Sequence, residues 1–474
     1  MNTVSAEKTV PVFAVLGHPN EGKSSVVSTL TENDQIPVSQ VPGETQVAGE
    51  YTVMIDESPI ISFVDTPGFQ VPRQTLAWFR EHPGPDSLDR FIQTHRADPF
   101  FSDDCELLGP VAQGAGIIYV VDGARPVRGD DLAEMEILRL TGCPRMAVIN
   151  PKRREPDYTE DWKTEFRKHF NAVRVFDSNR ADFFERIRML ESLKAIDQER
   201  EADIAAVIQA FKEEWDKRNR LACAHIVHSI EKALGFSLSE KIGTNTDPVT
   251  LKETLTIQYQ NEVRRMERQL FRQIRQIFRH RLYDYLLPDY SVLRHDLFSG
   301  RTWELLGLTR GQLTAAGAVV GGSVGAVADT AAAGLSFGVF TAIGTALGAG
   351  SAMLGVKNLA RKKTLGGDQL KVGPNENIQL LYILLDRAVL YYAHIVKRAH
   401  GRRILEEPAP GENTGKQGIS SGLTPARHKT CSRFFRAARG RGVSNRKKAG
   451  QQFALLVSAL LEEAAGSLDR DGKN

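Results

Sequence analysis

Eight residues constrain this chain more than any others. Gly17-His18-Pro19-Asn20-Glu21-Gly22-Lys23-Ser24 fit the phosphate-binding pattern G-x-x-x-x-G-K-[ST]. The pattern requires a strand before it and a helix after it. Val12 to Leu16 is an apolar run that predicts a buried strand, and Ser24 to Leu30 predicts the start of a helix. Glycines let successive backbone N–H groups turn inward on a phosphate, and a helix N-terminus adds partial positive charge. Lys23 is expected on the β- and γ-phosphates and the Ser24 hydroxyl on Mg²⁺. The candidate nucleotide-binding set is therefore Gly17, Asn20, Glu21, Gly22, Lys23, Ser24 and Ser25.

Two later tetrapeptides would turn such a loop into a switch. Pro42-Gly43-Glu44-Thr45 offers a threonine for Mg²⁺ about twenty residues past Lys23, with its backbone on the γ-phosphate. Ile60 to Val64 predicts a strand that ends in Asp65-Thr66-Pro67-Gly68. Asp65 is expected to hold Mg²⁺ through water and the Gly68 N–H to sense the γ-phosphate. Ser24, Thr45 and Asp65 are thus the metal candidates, and Lys23, Thr45 and Gly68 the catalytic ones. Further on, Gly116 to Asp122 predicts a buried strand, Asp131 to Thr141 a helix, and Met146 to Ile149 another strand ending at Asn150. Strands alternating with helices predict a doubly wound, mostly parallel α/β sheet of the P-loop NTPase class.

In this order, GHPNEGKS, PGET and DTPG resemble the Era-like, translation-factor-type branch of the bacterial P-loop GTPases. The resemblance implies GTP and Mg²⁺ as ligands and hydrolysis of GTP. Phe69 stands where Ras-type enzymes carry a catalytic glutamine, and Gln70 is one place late. Asn20 matches a loop asparagine that in some members of the branch helps bind K⁺, or else it is a structural cap. The guanine-reading N-K-x-D motif is altered here to Asn150-Pro151-Lys152-Arg153. Arg153 cannot accept from the base, so Asn150 and Lys152 remain as base-contact candidates and guanine preference is inherited from the resemblance. The last base-contacting loop is expected at Asp177-Ser178-Asn179, after the strand Val173 to Phe176.

Composition, 41% apolar and 25% charged in 474 residues, is that of a globular protein of several domains. A net charge of +3 leaves any attraction for nucleic acid or lipid to local patches. Cys105, Cys143, Cys223 and Cys431 form no C-x-x-C pair, which argues against a zinc site or disulfide framework and suits a reducing cytosol. Met1 to Lys8 lacks a signal-peptide core, so the chain is not expected to be secreted and its expected location is cytoplasmic, with the inner membrane as the alternative.

The remainder reads as mainly helical. Ile204, Val207, Ile208, Phe211 and Trp215 recur at helical spacing, and a long helix is predicted from Leu251 to Leu286 with Leu255, Tyr259, Val263, Met266, Leu270, Ile274 and Ile277 inward. Seven arginines stud that helix, either as a solvated face or as a contact for anionic lipid or RNA. Residues 311–356 carry only Asp329 as charge and repeat glycine at four-residue spacing, as in Gly317, Gly321 and Gly325. This Ala/Gly-rich hydrophobic hairpin, flanked by Arg310 and by Arg361-Lys362-Lys363, either inserts into a bilayer or is buried in protein. Ile378 to Arg403 predicts a helix, Glu407 to Thr430 a flexible linker, and Gln451 to Ala465 a terminal helix. Between these last two, Arg427 to Lys448 holds nine Lys/Arg and no acid around Phe434-Phe435, a pattern for RNA contact or for a solubilising tail.

The hairpin, Leu370-Lys371-Val372, Leu384-Leu385-Asp386-Arg387-Ala388 and Arg398-Ala399-His400-Gly401-Arg402-Arg403 resemble bacterial GTPases with a C-terminal domain of unknown function 3482. The expected domains are a GTPase domain over 1–192, a helical effector domain over 193–406 and a basic linker with a short helix over 407–474. The leading expectation is a Mg²⁺-dependent GTPase that switches a helical, membrane-associated effector domain. The alternatives are a nucleotide-timed RNA or ribosome-binding module and a P-loop NTPase without guanine specificity. Expected partners are guanine nucleotide, an anionic lipid or inner-membrane surface, RNA or ribosome, and a second copy in a nucleotide-dependent dimer.

Overall fold

Burial with a period of two organises the amino-terminal sheet. In β1 (Val12–Leu16), Phe13 and Val15 enter one core while Ala14 and Leu16 enter the other. A strand that is apolar on both faces has to be covered on both, which is what a helix-wrapped parallel sheet provides. The structure is a computed structural model that describes residues 10–36, 48–151, 156–243, 247–280, 291–309, 312, 362–364, 367–400, 418–440 and 446–466.

After β1 come α1 (Lys23–Thr31), β2 (Gly49–Ile55) and β3 (Ser58–Asp65). Three helices follow, α2 (Pro72–Glu81), α3 (Ser87–His95) and α4 (Ser102–Ala112), before β4 (Gly116–Asp122). Next are α5 (Gly129–Leu140), β5 (Arg145–Asn150), α6 (Thr159–His169), β6 (Ala172–Val175), α7 (Phe183–Ile196) and α8 (Glu201–Gly235). The six strands order as β2-β3-β1-β4-β5-β6, with only β2 antiparallel to its neighbour. The α/β class read from the sequence is therefore the observed one. Ile204, Val207, Ile208 and Phe211 join the core on one face of the sheet, with Trp215 packed against it, as their spacing predicted.

The chain divides into two units. The described residues of 1–217, 279–282 and 396–404 form the first, and those of 218–278, 283–395 and 405–474 the second. The second contains β7 (Leu238–Lys241), α9 (Pro248–Ile277), α10 (Gly300–Leu305), β8 (Lys362–Thr364) and β9 (Gly367–Val372). It ends with α11 (Gln379–Val396), α12 (Pro425–Ala438) and α13 (Arg446–Gly466). Asp247 caps α9 by accepting from the backbone of Val249 and Thr250, with Pro248 at the first turn, so the helix starts where its own sequence signals.

Side chains that the sequence marked only as a family likeness do structural work here. Asp386 accepts from the backbone N–H of Gly307 at 2.7 Å and of Ser420 at 2.8 Å. Arg387 donates to both Glu267 oxygens, at 2.5 and 3.0 Å, and to the carbonyls of His295 and Leu293. Gln379, outside those motifs, likewise accepts from the Leu308 N–H and donates to the Leu306 and Leu308 carbonyls.

Three expectations need correcting. The helix predicted to Leu286 stops at Ile277, and Arg279 takes a left-handed φ of 60° that no helix continues. The linker predicted to Thr430 gives way to α12, which begins at Pro425 with Thr424 as its cap. Phe434 and Phe435 are 2% and 1% exposed, and Phe434 stacks on Phe453 at 4.0 Å, so neither ring is available as a stacking platform. Several arginines of α9 are paired within the unit, Arg264 with Asp296 and Arg265 with Glu262. Among the described residues no helix is long and apolar enough to cross a membrane, and the 311–356 hairpin lies outside them apart from Gln312.

Candidate functional site

The site grows from the turn between β1 and α1. Gly22 caps α1 at φ +93°, and a Cβ there would stand 2.4 Å from Asn150 Nδ2, so glycine alone fits. Asn20 also takes a left-handed φ of 67° and is exposed, while Glu21 beside it is buried. Lys23 Nζ donates to the carbonyls of Gly17 at 3.0 Å and His18 at 3.2 Å, arching the side chain over the loop. Burial pushes the Lys23 ammonium below its ordinary pKa, and the carboxylates of Asp65, Glu134 and Glu21 oppose that shift. A desolvated cation held in this way is a strong partner for a phosphate.

Asp65 ends β3 directly beside the loop. Its Oδ2 accepts from the Ser24 hydroxyl at 2.6 Å, while Oδ1 is buried with no hydrogen-bond partner among the described residues. Burial raises the Asp65 pKa, and the Ser24 hydrogen bond and the Lys23 charge work against it. A hydroxyl, a half-satisfied carboxylate and a buried lysine form a donor set that suits Mg²⁺ and a triphosphate. Gly68 lies against the loop, where a Cβ would come 2.3 Å from Pro19 Cδ. Phe69 is 2% exposed and belongs to the core, so it orients no water, and Gln70 is exposed.

Asn150, an expected base contact, ties three segments together. Its Nδ2 donates to the Glu21 carbonyl at 3.2 Å, and its Oδ1 accepts from the Ser178 N–H and hydroxyl, both at 3.1 Å. Thr29 of α1 donates to the Ser178 carbonyl at 2.8 Å, closing the circuit between the phosphate loop, β5 and the 177–179 loop. Ser25 is buried on α1. Thr45 and Lys152 lie outside the described residues.

Three supporting sets of contacts were not apparent from the sequence. Glu21 accepts from the Asp122 N–H and from Arg125, whose guanidinium also grips Asp131 through two bonds of 2.7 Å. Glu134, wholly buried, accepts from Tyr119 at 2.8 Å and contacts His18 Nδ1 at 3.2 Å. Asp104 of α4 takes the Gln70 N–H at 2.7 Å and the Thr75 hydroxyl at 2.5 Å, anchoring the chain just past Gly68. The Glu21–Asp122, His18–Glu134 and Asp104–Thr75 contacts span 101, 116 and 29 residues, so no local pattern announces them.

The family model described as Domain of unknown function (DUF3482) matches residues 163–461, more than half of the chain. The chain belongs to the DUF3482 family. The model described as 50S ribosome-binding GTPase matches residues 12–150 of this DUF3482 protein. GTPase Era of Mycoplasmopsis agalactiae is 26% identical over 256 residues, covering 50% of this chain and 86% of Era. GTPase Der of Geobacter metallireducens is 28% identical over 141 residues, 30% of this chain and 27% of Der. The solved structure of Era with MgGDPNP and nucleotides 1506–1542 of 16S ribosomal RNA covers 36% of this chain and 51% of that one. The two share 20% identity at a TM-score of 0.26. The DUF3482 protein thus has an amino-terminal P-loop GTPase domain of the Era and Der type, although it spans only about a quarter of the length of that Der.

Proposed function

We propose that this DUF3482 protein binds GTP with Mg²⁺, hydrolyses it, and uses the nucleotide state to switch its carboxy-terminal helical domain. The reading is carried by the Ser24–Asp65 contact at 2.6 Å, with Asp65 Oδ1 lacking a partner among the described residues, beside buried Lys23. Ser24 and Asp65, with Thr45 from the sequence, would hold the metal, which when bound neutralises charge on the phosphate oxygens. Lys23 would hold the β- and γ-phosphates, and the backbone N–H groups of residues 20–24 would line them. The buried Glu21–Arg125–Asp131 network keeps the loop in its curled form. With Phe69 in the core, that side chain orients no water, and Asn20 would help hold a K⁺ that offsets charge on the phosphates in place of an arginine.

Guanine preference rests on kinship with Era and Der. Labelled GTP competed by GDP, XTP and ATP tests it directly. Displacement by GDP and not by ATP is expected, whereas equal displacement by ATP would leave a P-loop hydrolase without guanine selectivity.

A second reading concerns place. The nearly uncharged 311–356 segment with basic flanks supports attachment to the inner face of a membrane rich in anionic lipid. After a carbonate wash of membranes from expressing cells, an inserted hairpin remains in the pellet. Protein found wholly in the soluble fraction before the wash, with and without GTP analogue, would retire this reading. RNA contact, with Phe434 and Phe435 in the core, would rest on basic side chains alone and disappear steeply with salt.

A further inference from the structure

Asp34, His280 and His400 come from three distant stretches of sequence and meet within the first unit. Asp34 follows α1, the helix that begins with Lys23. One nitrogen of each ring and one oxygen of the carboxylate all lie within 4.8 Å of one another. His400 Nδ1 is hydrogen-bonded to Asp34 Oδ1, and His280 Nδ1 stands 3.9 Å from Asp34 Oδ2. The two imidazoles lie face to face, with centroids 4.1 Å apart and planes 9° from parallel. Both rings therefore aim the same nitrogen at the same carboxylate.

The surroundings hold this arrangement in place and keep it dry. The side chains of His280, His400 and Asp34 are only 7%, 8% and 11% exposed. Next to His280, Arg279 donates to the Met54 carbonyl at 3.2 Å and lies 3.8 Å from Glu32. Burial, with His400 and Arg398 nearby, pushes the His280 pKa well below its ordinary value, against the opposing pull of Asp34 and Glu32. Imidazole ligates a metal through a ring nitrogen, and one nitrogen of each ring already faces Asp34.

We propose that Asp34, His280 and His400 form a binding site for a first-row divalent transition metal, Zn²⁺ being the probe of choice, separate from Mg²⁺ at the phosphate loop. Two imidazole nitrogens and one carboxylate oxygen favour Zn²⁺ and its neighbours over Mg²⁺ or Ca²⁺, which take oxygen ligands. Three protein ligands leave a fourth position for water or another group. Asp34 stands eleven residues before Thr45 in the sequence, so a metal here would pin the chain where it leaves α1 toward the threonine expected to sense nucleotide.

The test uses the full chain, saturated with GDP and Mg²⁺ so that the phosphate site is filled. Zn²⁺ is titrated against a chromophoric chelator, and Co²⁺ is added separately while its visible d–d bands are recorded. One Zn²⁺ per chain and four-coordinate Co²⁺ bands are expected, with affinity falling at least about tenfold in Asp34→Asn and in His400→Gln. Absence of stoichiometric Zn²⁺ binding by the wild-type chain would overturn the proposal, as would binding unchanged in both variants. Should a variant fail to fold, zinc-edge X-ray absorption of the wild-type protein decides. Imidazole scattering supports the site, and a sulfur-ligated spectrum without it refutes the site.

Discussion

Asp65 in the first unit and Asp386 in the second are both buried carboxylates, 4% and 0% exposed. Asp386 accepts two backbone N–H bonds, and its neighbour Arg387 has its charge matched by Glu267 and two carbonyls. Asp65 receives a single hydroxyl and keeps one oxygen without a partner among the described residues, next to a lysine whose own charge is disfavoured by burial. Buried polar groups that are fully paired specify a fold; those left half-paired cost stability and persist where a ligand completes them. The second unit spends its buried charge on architecture and the phosphate loop holds its own in reserve.

Substitutions should separate the two cases. The largest effect is expected for Arg387→Met, which strands Glu267 in the core and should cost about 3–5 kcal/mol of unfolding free energy. Denaturant melts would show that loss; a change below about 1 kcal/mol would mean that the Glu267–Arg387 pair is not holding the unit together.

Lys23→Ala should do the reverse. Hydrolysis is expected to fall by roughly 10²–10³-fold while stability stays level or rises, since a desolvated cation is removed. A variant that hydrolyses as fast as wild type would show that the loop has been misassigned. Asp65→Asn sharpens the contrast, because the amide resembles the protonated carboxyl that burial favours. In nucleotide-free protein it should raise stability by about 1 kcal/mol, and it should weaken the Mg²⁺ dependence of nucleotide binding. Loss of stability instead would place Asp65 with Asp386 as a structural group.

The smallest effects concern pH and salt. The hydrogen bond to Glu134 raises the His18 pKa above 6.5, so this contribution is complete below the unfolded value and fades as pH rises through the folded one. Glu134, raised by burial, shifts stability in the same direction. Melts of wild type should therefore decline as pH rises past 6.5 by under about 1 kcal/mol, because His18 is partly exposed, and His18→Gln should flatten the decline. Hydrolysis in K⁺ should exceed that in Na⁺; identical rates would dismiss Asn20 as a K⁺ ligand.

How much could be read in advance depended on the range of the pattern. The loop from Gly17 to Ser24, β1, β4 and the inward face of α9 follow from neighbours in sequence, since strand and helix periods repeat within a few residues. The edge strand β2 has mixed burial and went unread, as did α2, α3 and α4, inserted between β3 and β4. The linker reading failed at Pro425 because Ser and Thr before a proline also cap a helix.

The sequence by itself determined that a lysine and a serine sit at a strand-to-helix turn with an aspartate at the end of a later strand. That much is local chemistry on a parallel sheet, where strand ends converge on one edge. Only the tertiary structure decided that Asn150 would staple Glu21 to Ser178, that Arg125 would brace the loop, and that Asp386 and Arg387 would be structural. It alone also brought Asp34, His280 and His400 together, across 246 and 366 residues of chain. Contacts of that span carry no periodicity to read: they arise when packed apolar faces fix the backbone and leave the polar side chains to find partners in what space remains.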